Sequence, residues 1–480
     1  MHTRCVRCSA PPVIRVREAA YCAACYNRVF SDKLKNGLDA VRGAIILRDA
    51  ERPPVAVAIA LSGGRASAVL LHAATRFFCA GAHPVRFEVL FVDDSEVSIE
   101  GHARRSAAHD VETLARSLAD DIVFTRIPIA RVLAHGGTVA CTGAHIRGAP
   151  QTPADAQRAF TAIYPPDIPR LGAADARTRA QDLLRVYTHR ALLETAVERG
   201  CTALLLGDTG TRAAAHLLAS VARGAGFQLP AATAPVRRTH GVYVAHPLRA
   251  HLEHEIAHYA VAHGIEAADV PELVPRTRAA PGSETYEALA DKASIERLAE
   301  CAYMLTALID ALQRGVSSTV STVARTGEKL VSVDAPATRD VPGALPRIGN
   351  RGVALVRAAC DVPSWDGSPT CALCLLPREG GAGDAPVGAP ADASDVACRL
   401  CYACRRTLTL PESVGTQLMP VPRSVVDGDV AAGVERLSLA ASPPAPAPTP
   451  APTGPPHEAR GTPVALSRED MRGRVAEFLL

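Results

Sequence analysis

Pairs of cysteines separated by two residues are the side chains of this sequence whose type and spacing most clearly specify chemistry. Cys5 and Cys8 form one pair, and Cys22 and Cys25 form another after a gap of 13 residues. Two such pairs can place four thiolates around one ion, which is the ligand set of a tetrahedral structural zinc site. The sequence therefore predicts a zinc ribbon at the N-terminus.

A second cysteine cluster lies between residues 371 and 404 and contains one cysteine more than a tetrahedral site needs. We expect a second zinc site formed by Cys371, Cys374, Cys401 and Cys404, with Cys398 spare and a variable loop between the pairs. An iron–sulfur cluster is an open alternative here, because it uses the same thiolate ligands. Cysteines concentrated at ligand spacing indicate metal binding in a reducing compartment rather than disulfide bonds.

A glycine-rich turn follows the apolar run 55–61 and is the candidate anion site. It consists of Ser62, Gly63 and Gly64, and Ser67 follows three positions later. An apolar run entering such a turn is typical of a buried strand that leads into a helix. The first N–H groups of that helix would point at one spot, so the turn suits a phosphate or pyrophosphate. An ordinary strand–turn–helix corner has the same pattern.

The same segment resembles the PP-loop of ATP pyrophosphatases, whose usual form is SGGxDS. Ala66 stands at the acidic position of that motif. Catalytic relatives carry two aspartates after the fourth strand, where this sequence has Thr211 and Arg212. Carboxylates at these places would hold Mg²⁺ and the triphosphate. We therefore predict a chain without its own catalysis, in which ATP binding is an open question.

Composition excludes some classes of protein. The chain has 480 residues, of which 48% are hydrophobic, and its formal net charge of +3 gives no overall basic signal. This length suits about two to four domains. No run reaches the roughly 18 apolar residues that a membrane span requires, and the N-terminus lacks the pattern of a signal peptide. We expect a cytoplasmic protein that does not bind membranes.

Apolar runs that alternate with helical patterns must position the turn and its neighbours. The runs cover residues 55–61, 86–92, 122–127, 203–206 and 242–245. They predict an α/β fold with a doubly wound parallel sheet. Because ligands approach such sheets at the carboxyl ends of strands, Asp93 and Asp208 join Ser62, Gly63, Gly64 and Ser67 as nucleotide-loop candidates. Solvated loop carboxylates and a helix cap are the ordinary alternatives for the two aspartates.

Composition also divides the chain into segments. We expect an N-terminal cysteine module at 1–50, the α/β domain at 51–270 with an irregular insertion at 135–175, a helical extension at 271–359, a C-terminal cysteine module at 360–410, a linker at 411–463 that is rich in Pro and Ala at 442–456, and a C-terminal helix at 464–480. Within the extension, residues 294–314 have the periodicity of one amphipathic helix.

Several further motifs share the pattern of one known family. Residues 206–212 have the form of its GDS-x-TR element, and residues 400–405 match LCYxC-R. Residues 317–330 contain STVSTV followed by RT-x-EKL, which is the most specific match. Together with the cysteine pairs and the SGG turn, these motifs resemble the cytoplasmic tRNA 2-thiolation protein 2 family from about residue 5 to residue 480, excluding insertions.

This resemblance implies a subunit of a heterodimeric enzyme that thiolates C2 of the wobble uridine in cytosolic tRNAs for Lys, Glu and Gln. It implies three partners, namely a catalytic PP-loop paralogue, tRNA and a thiocarboxylated ubiquitin-related sulfur carrier. In that reaction ATP adenylates the uridine C2 oxygen, and sulfur then displaces it. An independent ATP-dependent adenylating enzyme, acting on RNA or a small molecule, is the competing hypothesis. A zinc-stapled interaction scaffold is a third.

Arginines in a predicted helix and in the matched motifs are the candidate contacts to tRNA, since guanidinium groups bind phosphate bidentately. A solvated helix face is their ordinary alternative. The candidates are Arg177, Arg185, Arg212, Arg249 and Arg325, and Arg179 and Arg190 lie in the same predicted helix as the first two.

Overall fold

The computed structural model of the protein describes most of the predicted α/β domain and both cysteine modules. The described residues are 4–51, 55–79, 84–95, 101–133, 137–142, 145–149, 173–268, 301–329, 350–366, 368–378, 396–409, 417–422 and 425. The expected linker segment at 442–456 and the C-terminal helix at 464–480 lie outside them.

The strands and helices follow one another along the described residues with these bounds. The strands are β1 (Ile14–Val16), β2 (Ala19–Tyr21), β3 (Val55–Ala60), β4 (Val85–Asp93), β5 (Ile122–Pro128), β6 (Gly137–Thr142), β7 (His145–Ala149), β8 (Ala203–Leu205), β9 (Val236–Thr239), β10 (Val242–Ala245) and β11 (Gln417–Val421). The α-helices are α1 (Ala23–Glu51), α2 (Arg65–Cys79), α3 (Gly101–Leu118), α4 (Ala173–Glu198), α5 (Gly210–Ala222), α6 (Leu229–Thr233), α7 (Glu253–Ala262), α8 (Cys301–Gly315), α9 (Thr319–Glu328), α10 (Asn350–Cys360) and α11 (Tyr402–Leu408).

The central sheet has six strands in the order β5–β4–β3–β8–β10–β9. All neighbours pair in parallel except β9, which runs antiparallel to β10. The chain winds outward from β3 to β5 and then returns to the other side of β3 through β8. This order creates a topological switch point between β3 and β8, where ligands of such folds bind. The predicted doubly wound parallel sheet is therefore confirmed.

Alternate side chains of the central strands bury both faces of the sheet. On β3, Val57 and Ile59 pack on the side that α1, α2, α3 and α7 cover, whereas Ala56 and Ala58 pack on the side that α4 covers. The C-terminal cysteine segment belongs to this second core. Burial on both faces explains why the strands are continuous apolar runs.

Helix α1 joins the N-terminal cysteines to the main core, so the expected module at 1–50 shares its interior with the α/β domain. Tyr26 and Phe30 are buried in the same core as β3. Gly43 lets α1 approach α10 closely, because a Cβ at this position would lie 1.9 Å from the carbonyl oxygen of Leu355. Residues 1–441 form one compact unit.

The insertion that we expected to be irregular contains a regular hairpin. Strands β6 and β7 pair with each other, and β11 pairs antiparallel with β6. Helix α4 begins at Ala173, inside the expected insertion, and residues 150–172 lie outside the described part of the chain. The third strand of this sheet, β11, lies far from β6 and β7 in the sequence, so no local sequence pattern predicted the sheet.

The helical extension packs on α5. The helix expected at 294–314 is described from Cys301 onward as α8, and residues 294–300 lie outside the description. The STVSTV motif forms α9. Ile309 of α8 and Val320 of α9 are buried against Ala214 of α5. Within the described residues, no helix has the length and apolar character needed to cross a membrane.

Candidate functional site at the strand ends and cysteine centres

Both cysteine clusters predicted from the sequence assemble in the structure. The Sγ atoms lie within 4.8 Å of one another in each of two sets, Cys5, Cys8, Cys22 and Cys25, and Cys371, Cys374, Cys401 and Cys404. In the described part of the chain, these are the two places where three or more potential metal ligands converge. The side chain of Cys398 lies outside the description.

The first pair of each cluster has the same backbone fold. The N–H of Cys5 donates to the carbonyl oxygen five residues later at 2.8 Å, and the N–H of Cys371 does the same. The residue after the pair has a positive φ in both, 61° at Ser9 and 58° at Leu375. Each first cysteine also accepts an N–H from two residues later, from Arg7 at 3.5 Å and from Leu373 at 3.4 Å.

The second pair of each cluster lies at the start of a helix, where a zinc ribbon would have another knuckle. Cys22 immediately precedes α1, and Cys401 is the N-cap of α11 and accepts the N–H of Cys404 at 3.4 Å. The positive end of a helix dipole favours thiolates over thiols. Both modules are therefore a knuckle combined with a helix N-terminus, which refines the zinc-ribbon expectation.

Sulfur separations in both clusters suit a single ion. The Sγ atoms of Cys8 and Cys22 are 3.4 Å apart, and those of Cys374 and Cys401 are 3.9 Å apart. A Zn–S bond of about 2.3 Å gives sulfur separations of about 3.8 Å in a tetrahedron. Thiolates on the separate irons of a four-iron cluster lie farther apart than this. These sulfur separations therefore fit one zinc ion in each cluster.

Thiols this close cannot all ionise without a cation between them. The side-chain hydrogen bond with Cys8 is the main factor that raises the pKa of Cys25 to about 12, and burial adds to it. Hydrogen bonding with Cys371 likewise raises the pKa of Cys404 far above its usual value. The two centres differ in exposure, since all four C-terminal cysteines are buried whereas Cys8 is exposed.

The SGG turn lies at the carboxyl end of β3, as predicted. Gly63 has a φ of 84°, which a residue with a side chain rarely adopts. The hydroxyl of Ser67 accepts the N–H of Ser62 at 3.2 Å and donates to the carbonyl oxygen of Gly64 at 2.9 Å. Ala66 lies in the first turn of α2 and is partly buried against the core. The hydroxyl groups of Ser62 and Ser67 thus form hydrogen bonds within the turn itself.

The loop after β8 meets the SGG turn at the switch point. Gly207 lies against the backbone of Ser67. Thr209 caps α5 by accepting the N–H of Arg212 at 3.4 Å, so the cap is not Asp208. Thr211 is buried, and Arg212 is exposed. The structure therefore brings the two motif departures, Ala66 and the Thr-Arg pair, to one edge of the sheet.

The two aspartates predicted at the strand ends both have partners. Arg126 Nε donates to Asp93 at 2.7 Å, and the carboxyl also accepts the N–H of Ser95 at 3.0 Å. Burial opposes ionisation of Asp93, but these bonds outweigh it and lower its pKa. His246 Nδ1 donates to Asp208 at 3.0 Å. Despite burial, this contact holds the pKa of Asp208 well below its usual range.

A polar cluster between α4 and α5 surrounds Asp208, and the sequence analysis identified only part of it. We call Arg185, His189, Arg212, His216 and Asp208 the α4–α5 cluster. Burial is the main factor that lowers the pKa of His216 to about 4, and the charges of Arg185 and Arg212 lower it further. The overlooked histidines lie four residues after each arginine, on the same helical face, which is the signal that would have found them.

The arginines proposed for tRNA have different surroundings. Arg185, Arg212 and Arg325 are exposed, although protein surrounds Arg185 on several sides. Arg249 is buried and donates to the carbonyl oxygen of Ala324 at 2.8 Å, so it holds α9 and is not accessible to RNA. The side chain of Arg177 lies outside the description.

Two further arginines of α4 also have structural contacts. Arg179 donates to the carbonyl oxygens of Arg406 and Thr409, at the end of α11. Arg190 is buried and donates to the carbonyl oxygen of Ala372 at 2.6 Å. Both connect α4 to the C-terminal cysteine segment, which argues against their role as RNA contacts.

Comparisons with known proteins point to one family. The model of the family described as cytoplasmic tRNA 2-thiolation protein 2 matches residues 302–386. The human protein of that name is 26% identical over 424 residues, covering 79% of this chain and 73% of that protein. The protein of that name from Pyrenophora tritici-repentis is 24% identical and covers 84% of this chain and 94% of its own length. These matches confirm the resemblance seen in the motifs.

Among solved structures, the U34-tRNA thiolase NcsA from Methanococcus maripaludis, with its [4Fe-4S] cluster, is 15% identical. The match covers 68% of this chain and 88% of that chain, with a TM-score of 0.46.

Proposed function

We propose that this chain, a relative of cytoplasmic tRNA 2-thiolation protein 2, is the non-catalytic subunit of a cytoplasmic complex that thiolates the wobble uridine of tRNA. A catalytic PP-loop paralogue would be its heterodimer partner. The tRNAs for Lys, Glu and Gln would be substrates, and a thiocarboxylated ubiquitin-related protein would deliver the sulfur. The observation that carries this proposal is that the switch point lacks free carboxylates: the acidic positions of the motif hold other residues, and the nearby aspartates already have partners.

Magnesium and a triphosphate need uncommitted carboxylates at the strand ends. At the positions where the motif calls for acids, the chain has Ala66, which packs on the core, Thr211, which is buried, and Arg212. The nearby Asp93 and Asp208 are engaged by Arg126 and His246. A partner that supplies the missing carboxylates explains how such a fold serves an ATP-dependent reaction.

The α4–α5 cluster supports the contact with RNA. Arg185 on α4, Arg212 on α5 and Arg325 on α9 are all exposed. Since the formal net charge is only +3, a local arginine cluster is a better source of attraction for a polyanion than the whole surface. The cluster would contribute to a surface that the partner completes.

Zinc is the metal that we assign to both cysteine centres. The sulfur separations of 3.4 and 3.9 Å support one ion per centre. Cys5, Cys8, Cys22 and Cys25 would hold one ion, and Cys371, Cys374, Cys401 and Cys404 the other. A closed four-thiolate zinc site is structural, because it keeps no open position for a substrate.

Wobble 2-thiouridine should be lost from cells that lack this chain and return with the wild-type gene. A tagged chain should recover a PP-loop paralogue, identified by mass spectrometry. The isolated chain should not catalyse ATP–pyrophosphate exchange, whereas the adenylating-enzyme hypothesis requires that it does. Intact 2-thiouridine in the deletion strain would refute the tRNA role.

A further inference from the structure

The C-terminal cysteine centre receives a hydrogen bond from outside its own segment. Gln228 Nε2 lies 3.4 Å from Cys374 Sγ and 3.2 Å from the carbonyl oxygen of Pro377. The sulfur and the carbonyl are both acceptors, so the amide must present its NH₂ group to them. Gln228 is buried in the short segment between α5 and α6.

A buried cation lies in the same segment as Gln228. Arg237 on β9 is 3% exposed. Its Nη1 donates to the carbonyl oxygen of Ala231 at 3.2 Å, and its Nη2 lies 2.8 Å from His189 Nε2. Burial lowers the pKa of Arg237 to about 10, while Asp208 and Cys374 favour its charged form. Arg237 thus joins β9 to α6 through Ala231 and to α4 through His189.

Four thiolates around one divalent ion carry a net negative charge, and burying that charge is costly unless donors and cations compensate it. The N-terminal centre is open to solvent at Cys8, so water can hydrate part of its charge. The C-terminal centre is buried and needs protein groups instead. Hydrogen bonds to ionised sulfur are stronger than those between neutral groups.

We propose that Gln228 forms the outer shell of the C-terminal metal centre and couples metal binding there to the ordering of residues 226–239. This inference rests on the metal proposed at Cys371, Cys374, Cys401 and Cys404, and not on the tRNA role. Gln228 stabilises the Cys374 thiolate directly. Arg237, in the same segment, hydrogen-bonds to Ala231 and His189 and so fixes residues 226–239 on α4.

The first test uses the full-length, metal-loaded protein. Gln228→Met keeps the length and burial of the side chain but removes the donor, whereas Gln228→Lys restores a donor. Loss of an outer-shell partner typically costs 10- to 100-fold in metal affinity. Zinc transfer from the C-terminal centre to a chelator should therefore be about 10- to 100-fold faster in Gln228→Met. Gln228→Lys should fall between Gln228→Met and the wild type, and the N-terminal centre should be unchanged.

Cobalt substitution distinguishes loss of a hydrogen bond to the Cys374 sulfur from a mere loosening of packing around the centre. In the background Cys22→Ser, which leaves the C-terminal centre as the remaining four-cysteine site, Gln228→Met should shift the thiolate-to-cobalt absorption band. A variant that only loosens packing would release metal faster without moving the band. An unmoved band would overturn the outer-shell assignment, whatever the release rate.

Hydrogen exchange tests the coupling. Cys371→Ser should speed amide exchange in residues 226–239, whereas Cys22→Ser, its matched control in the N-terminal centre, should leave that segment unchanged. Equal exchange of residues 226–239 in the two variants would refute the coupling, even if the metal-release result held.

Discussion

Gly207 lies against Ser67 so closely that a Cβ at position 207 would be 3.0 Å from the Cα of Ser67. The contact joins the loop after β8 to the SGG turn after β3. Because the neighbouring atoms belong to the backbone, a side chain at position 207 cannot be accommodated by a rotamer change. The two loops of the switch point therefore depend on glycine for their separation.

Gly207→Ala should destabilise the protein by about 1–3 kcal/mol, the usual cost of forcing extra atoms into a packed region. Urea unfolding of the full chain, followed by tryptophan fluorescence and circular dichroism, measures the change. Gly226→Ala is the matched control, since a Cβ there would have no neighbour within 4 Å. Equal midpoints for the two variants would show that the loops can separate without cost.

The two metal centres should release their ions at different rates. The four C-terminal cysteines are buried, whereas Cys8 is exposed and Cys22 and Cys25 are partly exposed. A chelator should therefore remove the first equivalent of zinc from the N-terminal centre. Cys22→Ser should abolish this fast phase and lower the zinc content by about one equivalent, because tetrahedral sites need all four ligands.

Cys79→Ser is the control for that experiment, because Cys79 is an exposed cysteine outside both clusters. It should retain both phases and the full zinc content. A single release phase in the wild type, or an unchanged zinc content in Cys22→Ser, would contradict the assignment of one ion to each centre.

Arg185→Ala and Arg212→Ala should each weaken binding of a tRNA anticodon stem–loop to the assembled complex. Each lost phosphate contact should reduce the slope of log affinity against log salt by about 0.7–0.9. Arg116→Ala removes the same charge from α3, where the side chain is 61% exposed and paired with Glu112. If all three variants have the same slope, the α4–α5 cluster does not contact RNA.

His189 should make stability depend on pH. Burial is the main factor that lowers its pKa to about 3, and Arg237 adds to this effect. The unfolded chain binds a proton near the usual pKa of about 6.5, so unfolding takes up a proton between these values. The stabilising effect of a neutral His189 is complete above about pH 6.5 and decreases as pH falls toward 3.

His189→Gln should abolish the proton uptake that accompanies unfolding at this position. Between pH 6 and 4.5, the unfolding free energy of the wild type should fall more steeply than that of the variant, by up to about 1.4 kcal/mol per pH unit. Urea unfolding at several pH values gives both curves. Parallel curves would show that His189 is protonated in the folded state as readily as in the unfolded state.

Local patterns were sufficient for five of the six strands of the central sheet and for the two four-cysteine clusters. The strand predicted at 242–245 is β10 with the same bounds, and the run 55–61 differs from β3 by one residue. Cysteine spacing identified both four-cysteine clusters, because two-residue spacing brings both sulfurs of a pair to one side of a tight turn. Continuous apolar runs identified the parallel sheet because both of its faces are covered.

Only the tertiary structure decided which polar side chains form hydrogen bonds or ion pairs with other protein groups. Asp93 meets Arg126 from the neighbouring strand, and Asp208 meets His246 across the sheet edge. Arg249, which was expected to contact tRNA, instead holds α9 through Ala324. Such contacts join residues far apart in sequence, so no spacing rule encodes them. Their existence depends on how helices pack on the sheet, and a buried charge must find a partner wherever that packing places it.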